Sequence, residues 1–74
     1  MENWWIYIID RDGRLYCGIT TDLENRMRQH GRSAPLYKAG PMSRSQAVKR
    51  EKELKGWSRI KKQELIAKAS EQFK

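Results

Sequence analysis

Five side chains in this sequence have the types and spacing to do chemistry together: Tyr7, Tyr16, Arg26, His30 and Glu51. Glu51 poses the sharpest question. It lies in the run Ser43 to Gly56, SRSQAVKREKELKG, which reads as a helix. At about 100° per residue, Ala47, Val48 and Leu54 fall on one narrow stripe, with Glu51 in its middle. A carboxylate on an apolar face is costly unless a cation meets it there. Arg26 and His30 are one helical turn apart and fall at the edge of an apolar stripe made by Leu23 and Met27. Tyr7 and Tyr16 fall in two strand-like runs joined by a tight turn, which places them near one another. Singly, each has a plainer reading. The tyrosines would be cross-strand core partners, Arg26 and His30 a solvated helix edge, and Glu51 half of an ion pair with Arg26 or a lysine.

The elements that must position these groups can be taken in order. Trp4 to Ile9, WWIYII, is apolar, aromatic and β-branched, which predicts a central strand buried on both faces. Asp12-Gly13 is a hairpin signal, and Leu15 to Thr20 reads as the returning antiparallel strand. Gly18 inside that strand calls for a bulge or the close approach of another backbone or a ligand. Thr21 with Glu24 makes a capping box for a first helix running to about His30, with Gly31 as its stop. Ala34 to Ala39 predicts an edge strand, broken at Gly40-Pro41. Ser43 with Gln46 caps the second helix, and Gly56 is expected to end it in a left-handed conformation. A last helix from Arg59 to about Ala69, capped by Ser58, is expected to dock through Trp57, Ile60 and Leu65. The tail from Ser70 to Lys74 is expected to fray.

At 74 residues the chain is expected to be one domain, with a core from about Trp4 to Ile66. The net charge is +7, from 16 Lys and Arg against 9 acids, and ten of those cations lie from Arg44 onward. Such a balance favours a polyanionic partner, nucleic acid before an acidic membrane surface. One cysteine, Cys17, and one histidine exclude an intramolecular disulfide and a Cys/His zinc site. The N-terminus has no secretory pattern and no run is long enough to span a membrane, so the cytoplasm is the expected compartment.

The ordered set of elements and residues resembles the GIY-YIG endonuclease superfamily. The first motif stands here as Trp5-Ile6-Tyr7 and the second as Tyr16-Cys17-Gly18. Thr20-Thr21-Asp22-Leu23-Glu24-Asn25-Arg26 into His30, then Ser45-Gln46-Ala47 through Glu51 to Leu54-Lys55, continue the likeness, which is greatest to the small bacterial YhbQ-like group. The resemblance implies an α+β fold, a small antiparallel β-sheet of two or three strands flanked by three helices. It also implies metal-dependent hydrolysis of phosphodiester bonds in DNA, in repair or processing, without a small-molecule cofactor. Carried over, Tyr7 and Tyr16 line the site and one helps to activate water. Arg26 binds the scissile phosphate, His30 takes or relays a proton or holds a tyrosine, and Glu51 ligates Mg²⁺ or Mn²⁺. The basic faces of the later helices, with Lys49, Arg50, Lys55, Arg59 and Lys62, would join Arg26 in contacting the nucleic acid. Trp5 replaces a glycine of the pattern and Cys17 an isoleucine. The segment after His30 is short, and no Asn follows Asn25. A non-catalytic nucleic-acid-binding module with the same fold is the alternative.

Overall fold

A computed structural model describes residues 3–31 and 34–71. Three strands, β1 (Trp4–Arg11), β2 (Arg14–Thr20) and β3 (Tyr37–Met42), form an antiparallel sheet in the order β2-β1-β3. Three helices, α1 (Leu23–Gln29), α2 (Arg44–Lys55) and α3 (Arg59–Glu71), complete the expected α+β arrangement.

β1 is central because its side chains are apolar on both sides. Ile6, Tyr7, Ile8 and Ile9 are each at most 2% exposed. Alternation along the strand divides them between two packing layers. Ile6 and Ile8 pack with Cys17 and Leu54, and Trp57, Leu65 and Ile66 close over them. That layer lies beneath α2 and α3. Tyr7 and Ile9 pack with Met27 and Leu23, beneath α1.

The hairpin turns through Asp12 and Gly13, both at positive φ (55° and 81°), as a two-residue turn matched to strand twist requires. Asp10 Oδ1 accepts from the Gly13 N–H at 3.0 Å. The register that follows sets Tyr7 opposite Gly18, Ile9 opposite Tyr16 and Arg11 opposite Arg14.

Several local expectations are corrected. β3 covers Tyr37–Met42 rather than Ala34 to Ala39, so Gly40 and Pro41 lie within it. Proline is tolerated on an edge strand or at a bulge, and β3 is an edge whose pairing shifts register between Trp4 and Ile6. The Gly40–Pro41 peptide is cis. Gly40 itself is at φ 148°, and a Cβ there would meet the Trp4 carbonyl at 2.8 Å. The cap of α1 is Asp22, not Thr21: its carboxylate accepts from the Asn25 N–H at 3.1 Å, while Thr20 Oγ1 accepts from the Asp22 N–H. An anionic cap also suits the positive end of the helix.

Gly31, at φ 71°, follows the end of α1 as expected, and the Ser43–Gln46 capping box of α2 is present. Gly56, however, is right-handed (φ −81°). The N–H groups of Gly56 and Trp57 reach the carbonyls of Glu53 and Leu54, so α2 closes in a tight last turn without a left-handed residue. Ser58 Oγ accepts from the Lys61 N–H and caps α3. Ile60 does not dock and is 69% exposed. It lies roughly 120–140° around the helix from Leu65 and Ile66, which do. α3 continues through Glu71, and the rest of the tail expected to fray, 72–74, lies outside the described residues. No helix among the described residues is long and apolar enough to cross a membrane.

Leu54 joins α2 to the sheet and has no exposed surface, so Leu54→Ala should cost about 2–5 kcal/mol in denaturant unfolding. Ile60→Ala should stay within about 0.5 kcal/mol. Equal losses would contradict this account of how the helices are seated.

Candidate active site

The site begins with a glycine. Tyr7 and Gly18 face each other across β1 and β2. A Cβ on Gly18 would lie 2.5 Å from Tyr7 Oη and 2.6 Å from Cζ. What comes close to Gly18 is a side chain, the Tyr7 ring lying over the neighbouring strand, rather than the backbone or ligand that a strand glycine suggests.

Around that ring two others gather. Tyr16 lies on the same sheet face, one alternation along β2, and its centroid is 6.5 Å from that of Tyr7. His30 stands at the C-terminal cap of α1, with its centroid 6.0 Å from each tyrosine. Tyr7 Oη and His30 Nε2 are 3.4 Å apart. Tyr7 is buried, His30 half-buried and Tyr16 39% exposed, so the cluster runs from the core to solvent.

Burial pushes the Tyr7 phenol above its ordinary value, and the neighbouring Tyr16 adds to the rise. Arg26 opposes it and Glu51 reinforces it. The charges of Arg26 and Glu51 thus both reach the phenol, although their helices pack on opposite faces of the sheet. Arg26 is exposed on α1.

The side-chain cation that meets Glu51 is not Arg26. Lys55, one turn further along α2, places Nζ 3.7 Å from Glu51 Oε2. Lys55 is mostly exposed and the Glu51 side chain is 20% exposed, so this is a loose i,i+4 pair at the rim of the stripe. Ala47 and Leu54 are buried on either side of Glu51 along the helix. Glu51 offers one carboxylate, and no three His, Cys, Asp or Glu side chains come together among the described residues. That donor set fits a hard ion such as Mg²⁺, which accepts one carboxylate and fills its shell with water and phosphate oxygens.

Several of the basic residues expected to contact nucleic acid are engaged within the protein. Arg50 is held by Glu53 at 2.9 Å and lies over the Trp57 ring at 5.0 Å. Arg59 donates to the Gly13 carbonyl at the hairpin tip. Lys55 pairs with Glu51, and Lys62 is half-buried, close enough to oppose the rise that burial imposes on the Cys17 thiol. Lys49 is exposed beside Arg44 and Lys52 on the outer side of α2. Sequence reasoning passed over Arg11, whose guanidinium lies 5.8 Å from the Tyr16 centroid. The signal was present: a two-residue turn after Arg11 puts Arg11, Arg14 and Tyr16 on one face.

Gly18→Ala should destabilise the fold by about 1–3 kcal/mol through overpacking, and the penalty should shrink in a Tyr7→Ala background. Unfolding free energies of the four proteins in that cycle check it. The raised phenol also gives a pH dependence. The unfolded chain releases the Tyr7 proton near pH ~10, and the folded chain holds it to higher pH. The native state then binds more protons, so stability falls as pH rises from about 10 toward the folded value. Cys17, also pushed up by burial, acts with the same sign from about pH 8.5. In a Cys17→Ala background, Tyr7→Phe should flatten the remaining alkaline fall, measured by urea titrations at successive pH values.

Residues 3–64 match the family described as the GIY-YIG catalytic domain. The chain is similar to a UPF0213 protein of Cronobacter sakazakii, 35% identical over 90% of this chain and 84% of that one. It is 36% identical to a UPF0213 protein of Staphylococcus saprophyticus over 90% of this chain and 98% of the relative. With the UPF0213 protein YhbQ of Escherichia coli it shares 31% identity over 95% and 83% of the two chains. No solved structure matches significantly. With its three-stranded sheet, its three helices and this match over most of its length, the chain belongs to the GIY-YIG nuclease family, alongside the small UPF0213 proteins.

Proposed function

We propose that the protein is a divalent-metal-dependent endonuclease that hydrolyses phosphodiester bonds in DNA, in repair or processing. The observation that carries this reading is the convergence of Tyr7, Tyr16 and His30 over Gly18, at a point where Arg26 and Glu51 are both felt. Membership of a nuclease family and a net charge of +7 support a nucleic-acid substrate.

Hydrolysis requires water to attack phosphorus, the bond to the leaving oxygen to break, and a proton to pass from the one to the other. Tyr7 is a poor base, because burial keeps its phenol protonated. Its hydroxyl, within hydrogen-bonding reach of His30 Nε2, serves instead to orient the His30 ring. Tyr16 is the phenol that solvent reaches, so Tyr16 with His30 handles the proton of the attacking water. Arg26, exposed on α1, takes the scissile phosphate and stabilises the charge that grows on it in the transition state. Glu51 would hold Mg²⁺ or Mn²⁺, displacing Lys55 from its carboxylate. When bound, the ion supplies Lewis-acid stabilisation of the phosphoryl and leaving oxygens.

Cleavage of a panel of single-stranded, duplex and branched DNA with Mg²⁺ or Mn²⁺ tests the assignment. Glu51→Gln and Arg26→Ala should each slow cleavage by about 10²–10³-fold. Wild-type cleavage that persists unchanged in both variants would sink the site. Tight binding without cleavage by the wild type would instead identify a non-catalytic nucleic-acid-binding module.

A further inference from the structure

The sheet face that carries the aromatic cluster does not stop at Tyr16. Side chains on one face alternate along a strand, and directly paired residues share a face. The pairs Tyr7–Gly18, Ile9–Tyr16 and Arg11–Arg14 therefore form a single row ending at the hairpin tip. Arg11 is in ring contact with Tyr16, 5.8 Å from its centroid. Two hollows flank the tip. One runs between Arg11 and His30, past Gln29. The other runs between Arg14 and Tyr16, again past Arg11. Each hollow joins an arginine of the tip to a ring of the site.

Two arginines directly opposite each other across a hairpin repel, and like-charged cross-strand pairs are destabilising. An anion between them reverses that sign. The local carboxylates do not fill the role. Asp10 accepts from the Gly13 backbone within the turn, and Asp12, which lines both hollows, is one carboxylate against two guanidinium groups. The tip is also held in place, because Arg59 of α3 donates to the Gly13 carbonyl. Paired guanidinium groups on an anchored turn suit the two-point recognition of a phosphate. Arg14 lies two residues from Tyr16 along β2, about 7 Å by strand geometry, a span comparable to one nucleotide step of an extended strand.

We propose that Arg11 and Arg14 form a second phosphate subsite, which takes the phosphodiester next to the scissile one on the same nucleic-acid strand. This rests on the nuclease reading for the position of the scissile phosphate. It makes the β1–β2 face a track for one strand, with the chemistry beside Tyr16 and a grip at the hairpin tip. Arg11, stacked on Tyr16, also becomes a positioning residue for that phenol.

The test uses DNA carrying one neutral methylphosphonate linkage, moved stepwise along the strand in the form that wild type binds most tightly. Affinity is measured without divalent metal, so the result does not depend on cleavage. Wild-type binding should weaken about tenfold at two adjacent linkages of one strand. Arg26→Ala should lose its sensitivity at one of them. The Arg11→Gln/Arg14→Gln double variant should lose it at the other, and the slope of log affinity against log salt should fall by about one or two. Lys68→Gln, a change of charge on α3, should weaken binding without removing sensitivity at any position. Circular dichroism melts confirm that each variant is folded. The proposal is overturned if the double variant keeps wild-type sensitivity at every linkage, if it behaves as Lys68→Gln does, or if the linkage it ignores lies on the complementary strand. Adjacent sensitive linkages in a protein that cleaves nothing would uphold the subsite and overturn the catalytic reading alone.

Discussion

The ring of Tyr7 lies across Gly18, and the geometry of the site follows from that contact. It requires a residue without a Cβ on β2, and a register that brings that residue opposite Tyr7. The Asp12-Gly13 turn sets the register, because a two-residue loop leaves no slack between the strands. The same contact turns the phenol toward His30, whose position depends on where α1 ends. A cap at Asp22 and a left-handed Gly31 bound that short helix. Three short-range devices thus converge on one buried hydroxyl, which is held between the hydrophobic core and the open side of the site.

Much of this was legible in the sequence, for a common reason. The double-sided burial of β1, the hairpin, the Ser43–Gln46 box and the Ser58 cap depend on residues within a few positions of one another. Two local details differ, the α1 cap at Asp22 and the right-handed Gly56, and the larger differences arise where a distant partner decides the outcome. Gly40-Pro41 reads as a break, yet an edge position beside a register shift accommodates it within β3. Ile60 reads as a docking residue, yet Trp57, Leu65 and Ile66 fix the face of α3 that meets the sheet. For Glu51, the apolar stripe was visible but its cation was not. Arg26 and Lys55 are equally good charges on paper, and only the packing of α1 and α2 on opposite faces favours the lysine. For the catalytic candidates, the spacing of the tyrosines and of His30 anticipated their meeting. What could not be read was the gradient of exposure from the buried Tyr7 to Tyr16 at the surface.

Basic residues in this chain have two kinds of employment. All three tryptophans carry a cation near the ring: Arg44 at Trp4, Lys38 at Trp5, and both Arg50 and Lys61 at Trp57. Such contacts let a small protein cover large aromatic surfaces with charged side chains while the charge stays in water. Net charge therefore overstates the number of cations directed at a polyanion. The long-range field still attracts one, and the residues that would touch it are a smaller set chosen by the sheet face.

The bond from Arg59 to the Gly13 carbonyl spans 46 positions and joins the last helix to the first turn. A contact so distant in sequence forms late, because the intervening chain must already be arranged. The tip acquires its fixed position only when the final helix is in place, so the first turn of the chain is completed by its last helix.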